Sequence, residues 1–571
     1  MVLLSNADIR FCNIRVDHQC RQGFIADNKN KEISVKTAGF AYPWDQSSLK
    51  SLQVDLKKFK QLDVFASQQV STRSSVEVLV KELLQKAQTD LEKLRAIWIW
   101  VTHHIEYDVK GYYNTELRTG VPGDVLQTGK AVCAGYAGLF KEMCRFAGIN
   151  CVMVSGHSKG FSYEPGDRFT GSGNHAWNAV SLEGRWHLLD STWGAGNVKR
   201  NSSQFTFQYN EFYFLTHPAL FIGDHFPLKD EWQLLNPRVS LRQFEKALTK
   251  MSGFYSCDLR SINPDSSLIE TVNGKATITV KSQSPALFTH TLNGKNESGI
   301  ITLTADGMIL DIYPKSTRKH KLNIFAKPFD ATETYDCVCE YQLQCESVHK
   351  EMKLPSAMSN PVGPSWLTEM KGLLQPSQCS PIVYTQDGRC AFRFLLEKHL
   401  SFILKLSLEN VNVSDDLSRH VFIYREGNWV EFKIQIPRAG MYLFTIFAKE
   451  KSAPGKNHHF VCNYLISCSN PSVQWPVFPL VYASWQQEYE LVEPLSGVLP
   501  AQRILQFKVK IPGVAKVLVG SRDTQELSVS SDGYWTGSCS TAGCKDLTVM
   551  VLHKPTDSSY SLVLQYQVEN N

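Results

Sequence analysis

The spacing of apolar residues predicts a helix over residues 133–146. The apolar side chains recur three and four positions apart, as on a helix that buries one face. They are Tyr136, Leu139, Phe140, Met143 and Phe146. Gly148 follows them, at the position where a residue in the left-handed conformation ends many helices. The pattern therefore predicts a helix whose first turn contains Cys133.

Two β-strands are predicted over residues 175–182 and 185–193, which are rich in tryptophan, valine, leucine and threonine. A two-residue turn at 183–184 joins the two segments. This turn predicts an antiparallel register in which Leu182 faces Arg185, and the other pairs follow by counting outward.

The same register predicts where the polar side chains of the hairpin lie. Trp177 is predicted opposite Asp190, and His175 opposite Thr192. Because side chains alternate between the two faces, His175 and Asp190 are diagonal neighbours on one face, about 7–8 Å apart at the backbone. An imidazole and a carboxylate can form a hydrogen bond across that distance. His187 is predicted on the opposite face from Asp190.

From about Gly253 onward, short alternating strands with turn signals replace the helical pattern. A glycine turn, a strand ending on lysine and a final tyrosine strand occur three times, with about 100–120 residues between copies, the size of a β-sandwich domain. The glycines are Gly307, Gly427 and Gly533, the lysines are Lys327, Lys449 and Lys554, and the tyrosines are Tyr341, Tyr464 and Tyr566. We interpret the glycines as turn residues with positive φ and the tyrosines as packed strand residues, and not as a binding site.

Composition disfavours several classes of function. The 571 residues carry 60 basic and 55 acidic side chains, a net charge of +5, and the basic residues form no stripe with interleaved aromatics. We therefore predict no nucleic-acid binding. No apolar run approaches the ~18 residues that a membrane span requires, so no membrane association is predicted.

The cysteines and the start of the chain predict a cytoplasmic location. The 15 cysteines are scattered along the sequence, which suits a reducing compartment better than a disulfide framework. The opening segment MVLLSNADIRFCNIRVD lacks the basic stretch of a signal peptide. The sequence contains no CxxC motif and no acidic loop of EF-hand spacing, so neither a metal nor a cofactor is predicted.

Cys133 is the candidate nucleophile. At a helix start, unpaired backbone N–H groups and the helix dipole lower the pKa of a thiol. His175, oriented by Asp190, supplies the base that a nucleophilic thiol requires. Each residue also has a structural explanation: a small buried hydrophobe for Cys133, an edge histidine for His175 and a turn former for Asp190. The predicted convergence of all three favours nucleophilic catalysis.

Three sequence blocks resemble the transglutaminase-like superfamily. They are GKAVCAGYAGLF, NHAWNAV and WHLLDSTWG, within a similar region from about Val76 to Trp193. The resemblance implies that Cys133 is the nucleophile, His175 the base and Asp190 the orienting acid. With its β-rich tail, the chain most resembles the kyphoscoliosis peptidase family. That resemblance implies protein substrates, cytoskeletal partners such as filamin, and a location at the muscle Z-disc.

The chain departs from other members of the superfamily near the nucleophile. Calcium-activated transglutaminases carry G-Q-C-W, whereas this chain carries Ala131-Val132-Cys133-Ala134. The paired CxxC zinc motifs of peptide glycanases are also missing, so both activities are disfavoured. The backbone N–H of Cys133 is a candidate oxyanion donor. Gln127, six residues earlier, has the spacing of the glutamine donor in papain-like proteases; the alternative is a solvated loop residue.

These observations predict a multidomain α+β chain, with a papain-like or transglutaminase-like α+β core followed by three tandem β-sandwich, immunoglobulin-like domains. The predicted boundaries are 1–65 for a partly disordered N-terminal arm, 66–250 for the catalytic core, and 253–347, 366–470 and 476–571 for the sandwiches.

Three functions remain open at this point. The first is a cytoplasmic cysteine peptidase that acts through a thioester intermediate on Cys133. The second is a protein transglutaminase, which uses the same residues and differs only in transferring the acyl group to an amine. The third is a catalytically dormant scaffold that binds cytoskeletal proteins. An intact cysteine–histidine–aspartate set argues against dormancy.

Overall fold

The structure is a computed structural model that describes residues 41–45, 48–69, 75–199, 204–355, 358, 360–408 and 417–569. Residues 1–40 of the predicted N-terminal arm lie outside the described residues. The chain divides into two compact units. The first contains the described residues up to Val272 with Ser282–Lys295 and Thr317–Glu346, and the second contains those in Asn273–Lys281, Asn296–Ser316 and Ser347–Asn571.

Helices are concentrated in the first unit. They are α1 (Lys60–Gln68), α2 (Val76–Leu83), α3 (Asp90–His104), α4 (Val109–Tyr113), α5 (Pro122–Thr128), α6 (Cys133–Phe146), α7 (Ser191–Ala195), α8 (Pro218–Phe221), α9 (Leu241–Lys246), α10 (Ser252–Ser256) and, in the second unit, α11 (Trp366–Met370). Short 3-10 turns lie at Leu56–Phe59, Leu84–Lys86, Thr115–Leu117, Glu211–Tyr213, Asp230–Gln233 and Leu417–His420. None of the helices in the described part of the chain combines the length and apolar character that a membrane span requires.

The strands that precede residue 228 form one antiparallel sheet and two small ribbons. They are β1 (Glu106–Tyr107), β2 (Lys130–Ala131), β3 (Cys151–Ser158), β4 (His175–Leu182), β5 (Arg185–Leu189), β6 (Gly196–Lys199), β7 (Gln204–Phe207) and β8 (His225–Pro227). The sheet has the order β5-β4-β3-β8, while β1 pairs with β2 and β6 with β7. Helix α6 packs against β3 and β4 of this sheet.

The helix predicted after Cys133 is confirmed. Cys133 is the first residue of α6, four of the five residues of the predicted apolar stripe are fully buried, and Phe146 is partly buried against the same core. Gly148 has a φ of 77°, the left-handed conformation expected at a helix end. Trp98 and Trp100 on α3 are fully buried and belong to the same core.

The predicted hairpin register is confirmed from the Leu182–Arg185 pair to the Asn178–Leu189 pair. The expected pairings of Trp177 with Asp190 and of His175 with Thr192 are wrong, because β5 ends at Leu189. The carboxylate of Asp190 accepts hydrogen bonds from the next backbone N–H groups, and this cap starts α7 in place of further strand.

The rest of the chain is built from strands. They are β9 (Leu259–Asn263), β10 (Leu268–Glu270), β11 (Ala276–Ser282), β12 (Ala286–Leu292), β13 (Gly299–Thr304), β14 (Gly307–Ile312), β15 (Lys319–Pro328), β16 (Asp336–Gln344), β17 (Leu373–Leu374), β18 (Ile382–Tyr384), β19 (Arg389–Leu396), β20 (Leu400–Leu408), β21 (Val421–Glu426), β22 (Trp429–Gln435), β23 (Gly440–Glu450), β24 (His459–Cys468), β25 (Leu480–Val481), β26 (Glu490–Glu493), β27 (Val498–Leu499), β28 (Ile504–Lys510), β29 (Lys516–Gly520), β30 (Thr524–Glu526), β31 (Ser528–Val529), β32 (Trp535–Ser540), β33 (Asp546–Leu552) and β34 (Ser561–Val568).

In the described residues these strands form six sheets. Their strand orders are β10-β16-β15-β12, β13-β14-β11-β9, β17-β19-β22-β21, β18-β24-β23-β20, β26-β28-β32-β31 and β25-β34-β33-β29-β30, and in the last sheet β27 also pairs with β34. An α+β core followed by β-sandwiches is the predicted fold class, which is confirmed. The exact domain boundaries stay predictions.

The repeated glycines and tyrosines have the structural roles predicted for them. Each glycine has positive φ next to a strand: 148° at Gly307, 58° at Gly427 and 82° at Gly533. The repeated tyrosines lie on β16, β24 and β34, and all three are fully buried. Each hydroxyl donates a hydrogen bond to a backbone carbonyl earlier in its repeat. These positions therefore stabilise the sandwiches.

Candidate active site

The thiol of Cys133 lies at the N-terminus of α6. Val132 caps the helix without a side-chain hydrogen bond, and Cys133 as a whole residue is half-buried. The N–H groups of a first helical turn have no acceptor within the helix, and together with the helix dipole they attract negative charge. This position suits both a thiolate and, at the N–H of Cys133 itself, a developing oxyanion.

His175 contacts both other members of the predicted triad. Its Nε2 atom lies 2.7 Å from Oδ2 of Asp190. Its imidazole also hydrogen-bonds the thiol of Cys133. Since Nε2 is occupied by Asp190, Nδ1 is the nitrogen left to face the sulfur. His175 and Asp190 are both buried. The structure thus brings the three predicted residues together, although β5 ends before Asp190.

The electrostatics of the site favour a thiolate–imidazolium pair. Burial raises the pKa of the Cys133 thiol, but the hydrogen bond and charge of His175 outweigh it and hold that pKa below its ordinary value. Burial lowers the pKa of His175, whereas the charge and hydrogen bond of Asp190 and the contact with Cys133 raise it to about 10. The imidazole therefore holds a proton that the thiol has released.

Asp190 is the centre of the hydrogen-bond network. Its Oδ1 atom accepts from the backbone N–H groups of Thr192 and Trp193, at 2.8 and 3.2 Å. Its Oδ2 atom faces His175 and also Nε2 of His225, at 3.0 Å. Burial raises the pKa of Asp190, but the two histidines outweigh it and hold the pKa well below its usual range. Asp190 is therefore a permanent anion that orients the imidazole of His175.

Sequence reasoning missed His225. It lies on β8, which pairs with β3 so that His225 faces Ser158. A side chain at Gly156 would prevent this pairing, because its Cβ would lie 2.3 Å from the carbonyl oxygen of Phe226. The sequence signal is weak: the polar pair Asp224-His225 interrupts an otherwise apolar run. Only the long-range pairing of β8 with β3 shows where His225 lies.

Gln127 lies in the last turn of α5, and its side chain is exposed. It is therefore a helical residue and not the loop residue considered as the alternative. Its role as an oxyanion donor stays a prediction.

In the described part of the chain, one group of buried side chains brings possible metal-ligand atoms as close together as they lie in a metal site. The atoms belong to His175, Asp190 and His225 and lie within 4.8 Å of one another. Each histidine lies at hydrogen-bond distance from the same carboxylate oxygen, 2.7 and 3.0 Å away. Imidazole N–H groups account for both contacts, so we interpret the group as a hydrogen-bond network.

We expect Cys133 to react with iodoacetamide at about pH 6 at least ~10-fold faster than Cys379, because an ordinary thiol is almost fully protonated at that pH. Cys379 is the matched control, since its side chain is exposed and access does not limit it. Peptide mapping after brief labelling measures both rates. The variant His175→Ala removes the ion-pair partner and should slow Cys133 to the rate of Cys379. Equal rates in the unmodified protein would contradict an activated thiol.

Comparisons with known proteins match both parts of the chain. The transglutaminase-like superfamily model matches residues 77–191, a range that contains the three triad positions. The model of the KY-like, immunoglobulin-like domain matches residues 241–356 and 369–479.

The chain is also similar to characterised proteins over most of its length. Kyphoscoliosis peptidase of Homo sapiens is 50% identical over 529 residues, which cover 92% of this chain and 79% of that protein. Kyphoscoliosis peptidase of Mus musculus is 50% identical over 551 residues, covering 96% and 83%. Hillarin of Drosophila melanogaster is 27% identical over 447 residues, covering 68% of this chain and 54% of that protein.

Proposed function

The chain belongs to the kyphoscoliosis peptidase family, and from that premise we propose that it is a cytoplasmic cysteine peptidase acting on cytoskeletal proteins through a Cys133–His175–Asp190 triad. The observation that carries the proposal is the position of His175. Its imidazole contacts the thiol at the start of α6 and, at 2.7 Å, a buried carboxylate. An activated nucleophilic thiol requires this arrangement, in which the thiol contacts an imidazole and the imidazole contacts a carboxylate.

The geometry supports a two-step acyl transfer. In the first step the thiolate of Cys133 attacks a substrate carbonyl, and the N–H groups at the start of α6 stabilise the oxyanion. His175 donates its proton to the leaving amine, and a thioester forms. In the second step His175 takes a proton from water, the resulting hydroxide attacks the thioester, and the thiolate is regenerated. Asp190 holds the imidazole in the required tautomer throughout.

A protein transglutaminase is the second candidate, because it uses the same thioester. The two reactions differ in whether water or an amine resolves the intermediate, which depends on access to the thioester and on water exclusion. The transglutaminase-like match over residues 77–191 favours this alternative. The sequence Ala131-Val132-Cys133-Ala134, in place of the G-Q-C-W of the calcium-activated enzymes, favours the peptidase.

The tandem sandwiches supply the other part of the proposal. Modules of this kind present sheet edges and loops to partners, and a thiol active site does not require them. We assign them the binding of cytoskeletal proteins such as filamin, which places the enzyme beside its substrates at the Z-disc. A dormant member of the family would use the same modules as a scaffold.

Incubation with casein or filamin fragments, with and without a fluorescent primary amine, separates the three functions. We expect new fragments and no incorporation of the amine. Fragment formation should vanish in Cys133→Ala and persist in Cys379→Ala, a variant of an exposed thiol outside the site. A labelled, uncleaved substrate would identify a transglutaminase instead. Neither product, together with rapid alkylation of Cys133, would identify a dormant scaffold.

A further inference from the structure

His225 lies between two carboxylates. Its Nε2 atom is 3.0 Å from Oδ2 of Asp190, and its Nδ1 atom is 2.6 Å from Oδ1 of Asp224. All three side chains are buried. The hydroxyl of Tyr213 donates a hydrogen bond of 2.9 Å to the other oxygen of Asp224. Both ring nitrogens of His225 thus face an acceptor away from solvent.

This geometry favours a protonated His225. A neutral imidazole carries one N–H and one lone pair, so between two ionised carboxylates one of its nitrogens would have no hydrogen to share with the oxygen it faces. An imidazolium donates from both nitrogens and satisfies both carboxylates. Burial lowers the pKa of His225, but Asp224 and Asp190 outweigh it and raise that pKa above its ordinary value.

The aromatic residues around the ring also favour a cation. Phe221 is stacked on His225 with 4.2 Å between ring centroids, and the rings of Trp193 and Trp177 lie at 4.5 and 5.0 Å. The faces of aromatic rings attract positive charge, most strongly where water is excluded.

Other titratable groups near His225 complete the charge pattern. His175 lies on β4 with 5.3 Å between the two imidazole centroids, and Cys133 on α6 lies beyond it. Lys159 and Tyr255 interact electrostatically with the carboxylate of Asp224. The backbone N–H of Lys159 also donates a hydrogen bond to the backbone carbonyl of Asp224. Burial lowers the pKa of Lys159 to about 8. Positive and negative groups therefore alternate from Cys133 to Asp224.

We propose that His225 is a permanent buried imidazolium and a positioning residue of the thiol site, which shares the negative charge of Asp190 with His175. The shared oxygen limits how tightly Asp190 holds the proton of His175. That proton must leave for the amine in the first step of the reaction, so an unshared carboxylate would retain it too strongly. This role rests on the proposed acyl-transfer function, whereas the charge state of His225 does not.

The sign of the effect follows from electrostatics. A positive charge lowers the pKa of every group near it. At an effective dielectric constant of about 20, one unit charge 5.3 Å away shifts a pKa by roughly two units. Replacing His225 with a neutral residue should therefore raise the pKa of both His175 and Cys133.

The charge state is tested first on the full-length, unsubstituted protein. Long-range ¹H–¹⁵N correlation spectra of protein labelled with [¹⁵N]histidine distinguish imidazolium from either neutral tautomer. We expect His225 to show two protonated nitrogens from about pH 5 to 9, a range in which an ordinary histidine loses its proton. In Asp224→Asn, an amide replaces the carboxylate and His225 should become neutral within that range. A neutral His225 in the unsubstituted protein would overturn the proposal, whatever the variants do.

The influence on the triad is tested by the pH dependence of Cys133 alkylation, which requires no substrate. We expect His225→Gln to move the onset of alkylation upward by about 1 pH unit, and His187→Gln to leave it in place. His187 is a suitable control because it is fully buried on β5, the strand next to that of His175, and hydrogen-bonds Ser51, outside the triad network. Slower alkylation without a shift of the onset would show a merely structural role and overturn the proposal.

The same variants separate this proposal from the proposed function. If the protein cleaves substrates, the alkaline limb of kcat for His225→Gln should also move upward, because His175 then holds its proton to higher pH. If the unsubstituted protein neither cleaves nor transfers, the proposed function fails. Even then, a higher pH for the onset of Cys133 alkylation in His225→Gln would support the positive charge assigned to His225.

Discussion

We expect the variant Asp190→Asn to lose about 10⁴-fold in kcat and to keep its fold, by analogy with the serine template. The fold is expected to survive because an asparagine carbonyl still accepts the hydrogen bonds that Oδ1 of Asp190 receives from Thr192 and Trp193. The amide nitrogen then faces Nε2 of His175 and donates to it. The proton of the imidazole moves to Nδ1, which faces the thiol. No base remains to activate Cys133.

The measurement compares kcat for substrate cleavage with the circular dichroism and melting of the same samples. Cys133→Ala should abolish turnover, since no thioester forms, and His175→Ala should reduce it to a similar level. His187→Gln is the matched control on the same hairpin and should retain activity. An Asp190→Asn variant within 10-fold of the unsubstituted enzyme would show that the carboxylate does not orient the base.

We expect Arg95→Ala to destabilise the first unit by about 3–5 kcal/mol, the range found when one partner of a buried ion pair is removed. The side chain of Arg95 on α3 is 3% exposed and forms paired hydrogen bonds of 2.8–2.9 Å with both Asp63 and Glu211. Its guanidinium also lies 4.8 Å from the ring centroid of Phe214. Removal leaves two partly buried carboxylates without their common partner and creates a cavity.

Lys93→Ala is the control for this prediction. Lys93 lies on the same helix and pairs with Asp90 at 2.8 Å, but the carboxylate of that pair is 65% exposed. Exposed pairs of this kind contribute a few tenths of a kcal/mol. Hydrogen exchange of peptides from α3 at increasing urea concentrations reports the stability of this unit. A loss below about 1 kcal/mol for Arg95→Ala would show that the network behaves like a surface pair.

Three aspects of the site could be predicted from local sequence. The apolar stripe after Cys133 defines α6 because helical periodicity is a property of neighbouring residues. The hairpin register follows from its two-residue turn, where Glu183 and Gly184 both have positive φ, as the tight antiparallel connection requires. The sequence also predicted that His175 and Asp190 would meet, although it continued the strand through Asp190.

Local sequence patterns alone specified that Cys133 begins its helix, that β4 pairs with β5 and that an α+β core precedes β-sandwiches. These features depend on residues a few positions apart, whose periodicity and turn chemistry act locally. Tertiary structure decided that Asp190 caps α7, that Arg95 joins two carboxylates and that β8 places His225 against Asp190. The last contact joins residues 35 positions apart. It forms only when β8 pairs with β3, and no local pattern specifies that pairing.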